Sequence, residues 1–339
     1  MKLPTAQELP AEVRATIGQW GPENVALVVL DRMFLDHWCE VFQDSNPLYT
    51  DDAYAAKSRH GVRIAPPIAM MAMTMQLTWR PAHILAQLPP AQKPALTPYL
   101  YLRQNYKLGG AVATFLGPEF HRPIKLGDRL RNRSRLISIE GPRATGVGEG
   151  YAVKQEMEWR NQNGELVGTN KIQTFIYEAG PRPPEKLVHG FLPGIYEDAS
   201  SYKLPPHLAG EKPMQTLVFE NTPLMLYRAA AAMRDWNIYH VDNEHVRAHG
   251  GVVSMYNSLL CTLSYFNRFA DDWTNGEYDL RKIEGPECAL LHPGDTIRIE
   301  GAVTKRYTQG NEEFVEMAAV MRTQAWTVMP AKLVVSRPK

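Results

Sequence analysis

The sequence has few cysteines, no long uncharged apolar run and almost no net charge. The three cysteines, Cys39, Cys261 and Cys288, are odd in number and far apart, which argues against a disulfide framework or a metal-binding knuckle. No stretch reaches the roughly 18 apolar residues of a membrane-spanning helix, and no apolar segment follows a basic start as in a signal peptide. A formal net charge of +1 gives no general attraction to nucleic acid or anionic membranes. We therefore expect a cytoplasmic protein that binds neither nucleic acid nor membrane.

Several common site motifs are also missing. Gly146, Gly148 and Gly150 precede a strand-like run and lack the spacing and order of a dinucleotide-binding loop. The sequence contains no Gly-x-Ser-x-Gly nucleophile elbow. The histidines form no His-x-x-x-His helical pair with a carboxylate, so we expect no zinc site and no other metal.

The composition does support a large folded core. The chain has 339 residues, of which 44% are hydrophobic, enough for one large domain or two of ordinary size. Amphipathic spacing predicts a helix over residues 33–42, and an apolar helix is predicted over 64–77. The turn Asn161-Gln162-Asn163-Gly164 predicts a hairpin between two strands. The predicted strands are residues 25–30, 130–139, 150–159, 166–176, 214–219, 297–305, 314–322 and 325–335.

The second half repeats the order of features of the first. Each half has an apolar helical segment, an Asp-x-Asn element, a long apolar run, a Gly-Asp turn and three strand-like runs. The Asp-x-Asn elements begin at Asp44 and Asp235, and the Gly-Asp turns begin at Gly127 and Gly294. We therefore predict a duplication. Its parts are residues 1–180, a proline-rich linker at 181–213, and residues 214–339.

A long buried helix combined with antiparallel strands, present twice, predicts an α+β fold. In each half, helices would lie on one face of a sheet that wraps the long helix. Two such halves can pair their sheet edges, which removes exposed edges.

The stretch from Arg234 to Asp242 carries the most concentrated chemistry. It places Asp235, Asn237 and His240 within six residues. A carboxylate and an imidazole at this spacing can hold one water molecule between them. The alternative is that Asp235 and Asn237 are only capping and turn residues.

These residues resemble the motif of the MaoC-like, (R)-specific enoyl-CoA hydratases, which runs Gly-Asp-x-Asn-Pro-apolar-His. Asp235, Asn237 and His240 match it, whereas Arg234 and Ile238 replace its Gly and Pro. In the first half Asp44, Asn46, Pro47 and Leu48 match, but Tyr49 stands where the motif has His. The resemblance implies a double hot-dog fold of two antiparallel sheets, each wrapping a central helix. It also implies a degenerate first half that makes room for a bulky acyl group.

Hydration of a trans-2-enoyl thioester needs a base for water, an acid for Cα and donors for the carbonyl oxygen. Asp235 and His240 suit the first two tasks jointly, and Asn237 is expected to orient the loop or the water. Gly250 and Gly251 are expected to begin the central helix and present N–H donors to the oxygen, with Ser254 a nearby hydroxyl. Arg228 is a candidate for a coenzyme A phosphate or for an ion pair. Methionines and aromatic residues of the first half suggest an apolar acyl pocket: Met70, Met71, Met73, Met75, Trp79, Tyr99, Tyr101 and Tyr106.

Several alternatives stay open at this point. The substrate of a related hydratase would be a short branched dicarboxylyl-CoA, with Arg228 or Arg234 meeting its second carboxylate. Hot-dog folds also include thioesterases, and a chain can serve as a non-catalytic acyl-binding subunit. The expected partner is an acyl-CoA substrate rather than a bound cofactor, and the expected assembly is a homodimer.

Overall fold

The structure is a computed structural model, and it describes residues 2–26, 28–75, 82–83, 96–178 and 180–339. Of the residues named above, Trp79 lies outside this part of the chain, as do Leu27 of the predicted first strand and positions 76–77 of the predicted apolar helix.

Ten strands form one antiparallel sheet in the described part of the chain. Along the sheet they follow the order β1-β3-β4-β5-β2-β7-β10-β9-β8-β6. Strands from the first half and strands from the second half therefore occupy opposite ends of the sheet. The strands are β1 (Asn24–Val25), β2 (Gly110–Phe120), β3 (Arg131–Thr145), β4 (Gly148–Arg160), β5 (Leu166–Tyr177), β6 (Leu217–Glu220), β7 (Asp279–Pro286), β8 (Thr296–Gln309), β9 (Glu312–Arg322) and β10 (Thr327–Pro338).

The two halves join where β2 pairs with β7. Phe115 faces Pro286, Leu116 faces Gly285 and Glu119 faces Lys282 in this register. The resemblance implied two antiparallel sheets, one in each half, and the structure joins the strands of both halves into a single sheet. The expected removal of sheet edges between the halves follows directly from this pairing.

Strands β2 and β7 were not predicted from the sequence. Strand β2 contains Gly110, Gly117 and Pro118, which are uncommon inside strands and hide its apolar positions. Strand β7 mixes charged and apolar residues, so its alternation is weak over its short length. Every strand that was predicted overlaps an observed one. The first shrinks to the two residues of β1, β3 and β8 extend six and four residues beyond their predicted ends, and the remaining ends agree within three residues.

Nine α-helices have both ends within the described residues, and most of them are short. The predicted helix over 33–42 is α2, and the segment before Asp235 is α7. A helix was predicted over residues 64–77. Among the described residues of that range, only those of α5 are helical. The helices are α1 (Ala11–Arg14), α2 (Arg32–Phe42), α3 (Pro47–Thr50), α4 (Asp52–Lys57), α5 (Ala69–Met73), α6 (Pro98–Asn105), α7 (Pro223–Met233), α8 (Asn243–His249) and α9 (Leu259–Thr274).

Helix α9 is the long central helix of the second half. Almost every side chain in it is buried, in a core cluster that also contains Trp38 and Met70 of the first half. Ser258 is the N-terminal cap of the helix, because its hydroxyl oxygen accepts a hydrogen bond from the N–H of Cys261 at 3.2 Å. Because α9 is buried on nearly all sides, its position is fixed by both halves together.

Residues 181–213 contain one short 3-10 turn, Pro184–Lys186, as their only helix or strand. Leu192 and Tyr196 are buried in a second apolar cluster with Phe175 and Tyr256. This segment therefore packs against both halves of the chain, while the domain boundaries themselves stay a prediction.

Candidate active site

Asp235 and His240 both line one small pocket, whose empty volume is about 200 Å³. Helix α7 ends at Met233, and the next residue, Arg234, has a left-handed backbone (φ 58°) that turns the chain just before Asp235. A 3-10 turn, Ile238–His240, then brings the imidazole back. Asp235 Oδ2 and His240 Nε2 are 3.9 Å apart, and the two side chains are only 15% and 12% exposed. The separation is too long for a direct hydrogen bond and leaves both groups able to contact one water molecule.

The tautomer of His240 is fixed by the backbone. Its Nδ1 lies 2.8 Å from the carbonyl oxygen of Tyr256, which can only accept, so Nδ1 carries the hydrogen. In the neutral ring, Nε2 then presents its lone pair toward Asp235. Burial lowers the pKa of His240, and the charge of Asp235 and the bond to Tyr256 only partly oppose this. The imidazole is therefore a neutral proton acceptor near pH 7.

Asn237 acts on the loop rather than on the pocket. Its side-chain oxygen accepts a hydrogen bond from the N–H of Tyr239 at 3.3 Å, and its side chain is exposed. It caps the 3-10 turn that carries His240. Of the two tasks expected for this amide, the structure favours orienting the loop.

Gly250 and Gly251 do not begin the central helix, so that expectation is wrong. They follow the last residue of α8, and α9 starts eight residues further on at Leu259. The Gly250 carbonyl accepts a hydrogen bond from the Tyr177 hydroxyl at 2.9 Å, and Gly251 has a left-handed backbone with φ +72°. The pair thus ends a helix, a common use of glycine, and neither residue lines the pocket.

Ser254 and Arg228 also lie away from the acid–base pair. The Ser254 hydroxyl lies 3.0 Å from Nδ1 of His292, an interaction that connects two loops. Arg228 is exposed on α7, and no ion pair with it is found within the described ranges. Neither side chain lines the pocket that contains Asp235 and His240.

The start of α9 reaches the pocket instead. Asn257, Ser258 and Cys261 line it beside the acid–base pair. The N–H groups of Leu259 and Leu260, in the first turn, lack intrahelical acceptors and carry the positive end of the helix dipole. The sequence did contain a signal for this, since a serine directly before an apolar run is a helix-start signature.

The Asp-x-Asn element of the first half, which begins at Asp44, is occupied by hydrogen bonds to Asp271 of the second half. Asn46 Nδ2 donates to Asp271 Oδ1 at 2.9 Å, and the Tyr49 hydroxyl donates to Asp271 Oδ2 at 3.1 Å. Asp44 also hydrogen-bonds Asp271, and burial raises the pKa of Asp44 to about 6 and that of Asp271 well above its usual range. These buried groups form a polar connection between the halves.

The predicted acyl-pocket residues are distributed among different clusters. Met70 and Met73 are fully buried in the core beside α9, with Met71 and Met75 packed against it. Tyr99, Tyr101 and Tyr106 pack in another cluster with Leu3, Leu9 and Tyr151. The tyrosines therefore do not belong to the pocket at Asp235.

The described residues contain neither a metal-binding cluster nor a membrane-spanning helix. No group of three or more His, Cys, Asp or Glu side chains there is arranged to hold a metal ion. None of the helices in the described ranges has the length and apolar character needed to cross a membrane.

Comparison with known proteins finds one family match in the first half of the chain, two curated relatives and a set of solved structures of similar fold. Residues 15–170 match the family described as "FAS1-like, dehydratase domain region". The chain is 29% identical over 156 residues to the "3-oxo-4,17-pregnadiene-20-carboxyl-CoA hydratase alpha subunit" of Mycobacterium tuberculosis, covering 45% of this chain and 46% of that protein. It is 27% identical over 169 residues to a "Probable enoyl-CoA hydratase alpha subunit" of Thermomonospora curvata, covering 49% of each. The match thus spans about half the length of these curated relatives.

Solved structures match over nearly the full chain. A "MaoC-like dehydratase" aligns with a TM-score of 0.65 at 16% identity, covering 96% of this chain and 100% of that one. A MaoC-like dehydratase from Phytophthora capsici aligns with a TM-score of 0.58 at 15% identity, covering 97% and 99%. A Mycobacterium tuberculosis protein described as having a double hotdog fold aligns with a TM-score of 0.57 at 13% identity, covering 98% of both chains. Because the sequence identities are low, the structural likeness establishes only the fold, which is a double hot-dog.

Proposed function

We propose that this chain, a member of the MaoC-like hot-dog family of hydratases and dehydratases, adds water to a trans-2-enoyl-CoA to give a 3-hydroxyacyl-CoA, or runs the reverse dehydration. The observation that carries the proposal is the 3.9 Å separation of Asp235 Oδ2 and His240 Nε2 in one pocket. The names of the curated relatives, both hydratase alpha subunits, support the same reaction. Coenzyme A enters as part of the substrate, and the reaction uses no further cofactor.

In the forward direction, the water oxygen forms a bond to Cβ while the Cα–Cβ π bond breaks. The electron pair moves through Cα to the thioester oxygen, giving an enolate-like species. The Asp235–His240 pair takes the proton released by water and returns a proton to Cα, so the enzyme ends as it began. His240 Nε2 is suited to accept a proton because Nδ1 is held as a donor to Tyr256. Because the protonation of Asp235 depends on that of His240, we assign the proton that Cα receives to the pair and not to one residue.

The developing oxygen charge is placed next to the start of α9. Asn257, Ser258 and Cys261 bring this helix end to the pocket, and the N–H groups of the first turn carry partial positive charge. This arrangement replaces the role first expected of Gly250 and Gly251. One donor aimed at such an oxygen contributes about 3–4 kcal/mol in other enzymes.

A bulky acyl group is the substrate that we favour. Four apolar residues of α7, Leu226, Ala229, Ala230 and Met233, line the pocket, and two of them are small. A curated relative is named for a steroid-derived carboxyl-CoA. The short dicarboxylyl alternative needs a cation in the pocket, and the described residues that line it include no Arg or Lys.

We propose that the chain works as an oligomer, with the homodimer as the form expected from the sequence. Both curated relatives are named alpha subunits, which favours association with a second chain in those proteins. If this chain alone binds acyl-CoA but does not turn it over, the non-catalytic subunit is the better description.

The test is to assay the purified chain alone on trans-2-enoyl-CoA substrates that range from crotonyl-CoA to aryl and steroid-side-chain thioesters. We expect loss of the enoyl thioester absorbance with formation of the 3-hydroxyacyl-CoA, fastest for the bulky members. Release of free coenzyme A thiol without hydration would identify a thioesterase. No turnover of any thioester, in either direction, would contradict the proposal.

A further inference from the structure

Asn257 is a buried amide in the same pocket as the acid–base pair. It stands directly before Ser258, the residue that caps α9, and is 4% exposed. Four polar side chains line the pocket: Asp235, His240, Asn257 and Ser258. Because the Ser258 hydroxyl oxygen already accepts the N–H of Cys261, the amide of Asn257 is the polar group that the reaction described above leaves without a task.

The orientation of this amide is set by Asn221. One side-chain nitrogen, Asn221 Nδ2, donates to the backbone carbonyl of His292 at 2.9 Å and to Oδ1 of Asn257 at 3.1 Å. A carbonyl can only accept, so the Asn221 atom at this position must be the nitrogen, and the Asn257 atom that faces it must be the oxygen. The Nδ2 group of Asn257 therefore points away from Asn221.

The Nδ2 group of Asn257 is poorly satisfied within the protein. Its one acceptor among the described residues is the Cys261 sulfur at 3.6 Å, and a thiol sulfur is a weak acceptor. Buried N–H donors normally have a stronger partner. The Asn257 backbone is also fixed, since its N–H donates to the carbonyl of Leu291 at 3.0 Å. The pocket thus contains a rigid, neutral donor that lacks a good acceptor until a ligand brings one.

We propose that Asn257 is a further catalytic residue, and that its amide N–H donates to the thioester carbonyl oxygen as that oxygen gains charge. This inference rests on the proposed hydratase function and adds a side-chain donor to the backbone donors of the first turn of α9. A neutral amide suits the position because it keeps its hydrogens at every working pH. Asn221 is the positioning residue, because it holds the oxygen of Asn257 and so leaves the nitrogen on the side of Cys261, another residue that lines the pocket.

Two substitutions remove the donor in different ways. Asn257→Asp keeps the shape of the side chain and the oxygen that faces Asn221 but has no N–H. Asn257→Leu removes all polar character at similar size. Asn170→Leu is the matched control, because Asn170 is another fully buried asparagine, in β5, with an unpartnered side-chain nitrogen and no place in the pocket.

Steady-state kinetics on crotonyl-CoA are the first readout. Loss of one oxyanion donor lowers kcat by about 10²–10³-fold in other enzymes, and we expect a kcat loss of this size for both Asn257 variants with KM changed only a few-fold. Asn221→Leu should lower kcat less, because the amide remains but is no longer held. Asn170→Leu should lower the melting temperature without changing kcat, which separates a general loss of a buried amide from loss of this donor.

The second readout is the absorbance of bound cinnamoyl-CoA. A hydrogen bond to its thioester oxygen polarises the conjugated system and shifts its absorption to longer wavelength, and we expect this shift to shrink in Asn257→Asp. Should Asn257→Leu fail to fold, the isosteric Asn257→Asp still gives both readouts. Wild-type kcat and an unchanged bound spectrum in the Asn257 variants would overturn the role of Asn257 alone. If the wild-type chain hydrates no enoyl-CoA, both this role and the proposed function fall.

Discussion

The Tyr49 hydroxyl donates a hydrogen bond to Asp271, with 3.1 Å between the two oxygens. Tyr49 stands in the first half where the motif of the second half has its histidine, and Asp271 lies near the end of α9 in the second half. Asn46 and Asn267 donate to the same carboxylate. The first-half residues that match the motif, Asn46 and its neighbours, therefore help to connect the two halves. The Asp–His pair of the motif is present only in the second half, at Asp235 and His240.

The buried Asp44–Asp271 pair should make the free energy of unfolding depend on pH. Burial raises the pKa of Asp44 from its ordinary value near 4 to about 6 in the folded state. The folded protein then holds more protons than the unfolded chain, so the stabilisation is complete below about pH 4 and is lost as the pH rises through about 6. Acidic groups nearby are Asp272 on α9 and Asp271 itself, and Arg268 is the cation that opposes them.

Asp44→Asn is the variant that tests this. An asparagine keeps the oxygen that accepts the N–H of Asn46 and supplies a permanent donor to Asp271. We expect a flatter pH dependence from pH 5 to 8 and, at pH 8, a gain of about 1–3 kcal/mol in the free energy of unfolding. Denaturant titrations at a series of pH values measure it. Asp51→Asn, which alters an exposed helix cap, should leave the pH dependence as in wild type, and an unchanged slope in Asp44→Asn would be the contrary result.

The pH dependence of hydration should report His240. Burial lowers its pKa below the ordinary value of about 6.5, and the neutral ring is the form that accepts a proton from water. The acid limb of kcat/KM should therefore lie below pH 6.5, with the rate rising as His240 loses its proton and level through pH 7. In Asp235→Asn, NMR titration of the His240 ring should show a further lowering, since a favourable charge is gone. An acid limb centred above pH 7 would rule out a neutral His240 as the acceptor.

Gly251→Ala should affect stability and spare the chemistry. The Gly251 backbone has φ +72°, which costs a residue with a side chain about 1–2 kcal/mol. An added Cβ would also lie 3.0 Å from the Arg182 side chain, which is flexible and able to move. We expect a lower melting temperature and a kcat within a few-fold of wild type. A kcat loss of a hundredfold or more, at unchanged stability, would indicate that Gly251 contacts the substrate after all.

Local signals in the sequence were sufficient to predict that Asp235 and His240 lie close together. Asp235 and His240 are close in the chain, and a helix end followed by one 3-10 turn brings them together without help from distant residues. The start of the central helix was misplaced because the apolar run begins at Val252. Val252 and Met255 are buried in a loop, so hydrophobicity alone does not separate that loop from the helix.

Local sequence patterns did not predict the contacts between residues that are far apart in the chain. Asp271 approaches Asn46 across 225 positions, and Asn221 approaches Asn257 from a loop beside the Gly294 turn. The continuous sheet depends on β2 and β7, whose glycines, prolines and charges give weak strand patterns. Propensity describes single elements, whereas these features depend on which elements meet.

The most direct test is to compare initial hydration rates of Asp235→Asn, His240→Gln and wild type on the best enoyl-CoA substrate, with Asp242→Asn and His245→Gln as matched controls. Asp242 caps α8 and His245 packs edge-to-face against Tyr239, so both controls change the same residue types outside the pocket. Each pocket variant should lose about 10²–10⁴-fold in kcat while still binding the acyl-CoA, and the controls should retain wild-type turnover. Full turnover by both pocket variants would contradict the account.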